Sequence, residues 1–287
     1  SSVISENPWA RLTPYEIGIP GREFAGRVFG GIRDEAEARG SDLTDPGAFI
    51  LLGEVGRAIR EIQGEERGGD AIHRFGAFLF QAFHFHVAGE MLYLLETDAA
   101  RNLVEWSFES CKWDGGELPA DAGYLQFPHH LFWSAPGASD HAEPLDGVFW
   151  ARSSGGTLSL LTALGVRTNR PGISLTELPP VVLRDAQTWL TKPVRSEGAD
   201  FSNTLPGGDL GGLYSVGTLG EVLKLVGRSF AYLAGVPEAL GPEETGPRSG
   251  EFEVGSVSAR PSLLPFRRIR LVGESREEFD APPEHDP

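Results

Sequence analysis

The sequence predicts an α+β protein: an amino-terminal helical layer packed on a mainly antiparallel β-sheet, with one later covering helix and an acidic disordered tail. Two patterns carry this prediction. Through the first third, apolar residues recur at the spacing of a helix with one buried face. From about Gly123 the apolar runs shorten and are separated by turn-rich segments, the pattern of an antiparallel meander. A core is expected as well, because 17 Phe and six Trp supply large apolar side chains to a chain of 287 residues.

The first helix is predicted over Arg22 to Ala38, with Phe24, Val28, Ile32 and Ala36 on one stripe and Gly40 closing it. Asp45 before Pro46 is a capping carboxylate followed by a residue that needs no amide partner. That pair starts a second helix, predicted to run to Gly64 with Phe49, Leu52, Val55, Ile59 and Ile62 on one face. A third follows Asp70, with Ile72, Phe75, Leu79 and Phe83 on one side. Its end, Phe83 to Val87, also alternates like a strand, but the upstream period favours helix. Met91 to Leu95 reads as a buried strand, and Thr97 with Asp98 caps a short helix through Trp106.

Strands are predicted at Tyr124 to Phe127, Leu131 to Trp133, Val148 to Arg152, Thr157 to Leu164 and Ile173 to Leu178. Ser153-Ser154-Gly155-Gly156 makes a hairpin between two of them. Lys192 to Gly217 is a Gly- and Pro-rich surface loop. Thr218 and Glu221 then form the capping signature of a helix that buries Leu223, Val226, Phe230 and Leu233. Pro242 to Gly250 reads as a flexible linker, and Phe252 to Val257 and Leu263 to Val272 as strands. The tail from Glu274 to Pro287 holds six carboxylates and three prolines and reads as disordered. A helical subdomain over residues 1–110 and a β-rich subdomain over 118–273 are expected to share a core, ahead of the tail at 274–287.

Charge narrows the partners. Lys plus Arg total 25 against 41 Asp plus Glu, a formal net charge of −16. Such a chain repels nucleic-acid phosphates and anionic membrane surfaces. Arg267, Arg268 and Arg270 are a local exception, read as the solvated face of a strand. One cysteine, Cys111, permits no internal disulfide, and no apolar run approaches the length of a membrane span. The segment from Ser1 to Pro20 is polar and does not read as a signal peptide. Together these features predict a soluble, cytoplasmic protein.

No complete catalytic or cofactor motif is present. Gly207 to Gly212 lacks the Lys-Ser/Thr ending of a phosphate loop, and no G-x-S-x-G turn occurs. Two groups of residues are candidates for chemistry. His84, His86 and Glu90, with His129 and His130, are the side-chain types that bind a divalent transition metal, although His84 and His86 diverge on a helix. Tyr124, Phe132, Trp133 and Trp150 offer aromatic walls for a small-ligand pocket, with cross-strand packing as the competing role. Three functions are consistent with these features. The first is a non-catalytic binding or assembly protein acting on a protein partner or as a homo-oligomer, with no cofactor. The second is a metal-assisted hydrolase using the His/Glu set, and the third is a small-ligand binder.

Overall fold

The computed structural model describes residues 12–64, 69–105, 113, 115–128, 131, 133–134, 143–164, 175–182, 216–246 and 263–273. Helices and a mixed sheet make up these residues. Five helices come first: α1 (Pro14–Gly18), α2 (Arg22–Arg39), α3 (Pro46–Ile50), α4 (Gly53–Gln63) and α5 (Gly69–Val87). They are followed by β1 (Leu92–Leu95), α6 (Thr97–Glu105), β2 (Ala122–Gln126), β3 (Trp133–Ser134), β4 (Glu143–Ser153), β5 (Thr157–Leu164), β6 (Leu175–Val182), α7 (Val216–Gly235) and β7 (Phe266–Ile269).

The strands lie in the order β6-β5-β4-β2-β1-β7, with β3 also paired to β4. Pairings through β4 and β5 are antiparallel, whereas β1 runs parallel to both β2 and β7. Parallel neighbours require a crossover, and α6 lies in the one between β1 and β2. Successive side chains on β1 alternate between two cores. Leu92 and Leu94 face α1–α5, whereas Tyr93 and Leu95 face α6 and α7. The sheet is therefore covered on both faces, and α7 lies on the face opposite the amino-terminal helices.

Several expectations need correction. The helix predicted from Pro46 to Gly64 is two helices. The break at Leu51–Leu52 leaves Leu52 extended as the α4 cap, so that Phe49 and Leu52 both turn inward, at 0% and 2% exposure. Leu52 offers no side-chain cap. Glu35 of α2 supplies one instead, accepting from the amides of Gly53 (2.9 Å) and Glu54 (2.8 Å). The start of the segment predicted as a flexible linker is pinned to β7 by a bridge pairing Glu244 with Phe266, and Leu240, just ahead of that segment, pairs with Ile269. The same strip occupies the three arginines: Arg267 donates to the Gly241 carbonyl, Arg268 pairs with Glu244, and Arg270 reaches Glu96 and Glu244. The predicted loop at 192–217 lies outside the described residues up to 215. The strand predicted at Phe252 to Val257, Cys111 and the tail also lie outside them.

Where β4 changes partner from β2 to β3, a bulge lies between Leu145 and Gly147. Asp146, 1% exposed, accepts there from the Tyr124 hydroxyl and the Gln126 amide. Gly147 is required at this point, because a Cβ would run into the Leu125 carbonyl and the Tyr124 ring.

Candidate functional site at the α1 corner

Among the described residues, His86 and Glu90 meet Tyr15 where α1 meets the end of α5. Helix α1 is short, but its start is doubly capped. Thr13 accepts from the Glu16 amide, Glu16 accepts from the Thr13 amide, and Pro14 occupies the first turn. This places Tyr15, 5% exposed, over α5 with its ring edge-on to Phe85.

Just past the end of α5, Gly89 and Glu90 both have positive φ, Glu90 with φ of 58°. Only a small share of non-glycine residues takes that conformation, and it curls Glu90 back onto the last turn of the helix. There Glu90 Oε1 lies 2.7 Å from His86 Nδ1 and 2.7 Å from the Tyr15 hydroxyl, which is itself 3.2 Å from Nδ1. A carboxylate oxygen only accepts, so Nδ1 carries the proton and donates. Nε2 is then the remaining nitrogen, and it has no hydrogen bond among the described residues. His86 packs on Phe29 and is one-third exposed, whereas Glu90 is 14% exposed. Burial, reinforced by the Glu90 carboxylate, pushes the Tyr15 phenol well above its ordinary range.

Two large apolar side chains sit on segments tied to this corner. Val87, next to His86, is 65% exposed, and Leu263 is 63% exposed with its amide donating to Glu16 of α1.

The metal set predicted from sequence does not assemble around this point. His84, two positions earlier and so about 200° round the helix, lies 2.9 Å from the Leu43 carbonyl, and burial pushes its pKa down. Among the described residues no group of three or more His, Cys, Asp or Glu could hold a metal ion. His129 and His130 lie outside the described residues. The aromatic set also divides. Tyr124 stacks on Phe149 toward α5, whereas Trp150 packs on Tyr93 and Phe230 on the opposite face. Trp133 aligns with Pro144, six residues along β4 from Trp150 and so roughly 20 Å away. Tyr124 and Trp150 therefore share no cavity, because a strand sends adjacent positions to opposite faces. Phe132 lies outside the described residues.

Sequence reasoning missed Tyr15. The signal was present in Thr13-Pro14-Tyr15-Glu16, which combines a proline start with the T-x-x-E capping pattern. No helix among the described residues is long and apolar enough to cross a membrane.

No protein-family model matches the chain, and no curated protein matches it. Among solved structures, the crystal structure of AcrVA2 is similar over 89% of this chain and 82% of that one, at 11% sequence identity and a TM-score of 0.41. So loose a likeness carries no argument, and the function has to be read from the site itself.

Proposed function

We propose that the protein works by holding a protein partner, with the α1 corner as its contact surface, and does not turn over a substrate. The supporting observation is the pair Val87 and Leu263, 65% and 63% exposed on segments fixed to α1 by hydrogen bonds. Apolar groups held in place before binding lose little freedom when a partner covers them. The Tyr15–His86–Glu90 cluster supplies a polar group at the same corner, with Nε2 of His86 not engaged by any described residue. The net charge of −16 favours a partner with a basic face, so association should weaken as salt rises.

Photo-crosslinking side chains placed at Val87 and Leu263 test this in extracts of cells that make the protein. Both positions should yield the same adduct, and a crosslinker at exposed Arg57 should not. Excess unlabelled wild-type chain should compete the adduct away, and chain carrying V87D and L263D should not. Adducts as frequent at Arg57, or equal competition by the two chains, would remove the reading.

A second reading, the metal-assisted hydrolase, draws on the same pair of residues. A carboxylate on Nδ1 is what orients an imidazole to bind a divalent transition metal through Nε2. It requires one metal per chain by elemental analysis, lost in His86→Ala.

A further inference from the structure

We draw no further inference here: the strongest candidate, the small-residue stripe of Gly26 and Gly30 on α2, where an added Cβ would meet nothing within 4 Å, carries nothing because nothing in the structure shows what covers it.

Discussion

At the scale of single residues, the α1 corner depends on one hydroxyl. Tyr15→Phe keeps the ring against Phe85 and removes the donor to Glu90, in a setting where a hydrogen bond to a charged group is worth about 1.5–3 kcal/mol. We expect a loss of about that size in denaturant unfolding, together with faster proteolysis around α1. Unchanged stability would mean that the packing alone fixes the corner. The tyrosines also predict behaviour in alkali. Burial raises Tyr15, Tyr93 and Tyr232 above the usual 10.0, so the folded state retains protons that the unfolded state releases. Their contribution is complete below about pH 10 and is lost as pH rises beyond it. Absorbance of the phenolates should therefore appear together with unfolding; phenolate formation in the intact fold would contradict the burial.

At the scale of elements, α4 begins under a carboxylate borrowed from α2. Glu35→Ala leaves the Gly53 and Glu54 amides without their acceptor and should cost about 1 kcal/mol, the usual value of a helix cap. The same amides, with Arg39, hold the Glu35 carboxyl below its ordinary 4.5. A depressed pKa stabilises above the unfolded value and loses that effect as pH falls through the folded one. Wild type should thus lose stability below about pH 4.5 more steeply than Glu35→Gln, by acid titration of the unfolding midpoint. Burial of His84 acts earlier on the same side, through lowering from 6.5. At the bulge, Gly147→Ala should be among the harshest substitutions, about 3 kcal/mol or more, because the obstruction is backbone and cannot turn away.

For the whole molecule, the sheet separates two apolar layers and belongs to both. Phe149 faces α1–α5 and Trp150, its neighbour, faces α6 and α7. Truncating either to Ala should cost about 3–5 kcal/mol and lower the same single calorimetric transition. Two separable transitions, each sensitive to one substitution, would instead show that the helical and β-rich parts unfold as independent units.

The sequence by itself determined the elements whose signal is local. The stripe Phe24–Val28–Ile32–Ala36, the Gly40 stop, the Ser153–Gly156 turn and the Thr157–Leu164 strand all follow from short-range periodicity and turn chemistry. His86 and Glu90 were legible as a pair because an i, i+4 spacing survives the left-handed turn between them. Only the tertiary structure decided that Tyr15, 75 positions from Glu90, completes that corner, that Tyr124 and Trp150 lie on opposite faces, and that Gln81 is left with an unmet acceptor. Each of these depends on which segments meet across the sheet, and such contacts are set by the packing of the whole chain, which short-range patterns do not encode.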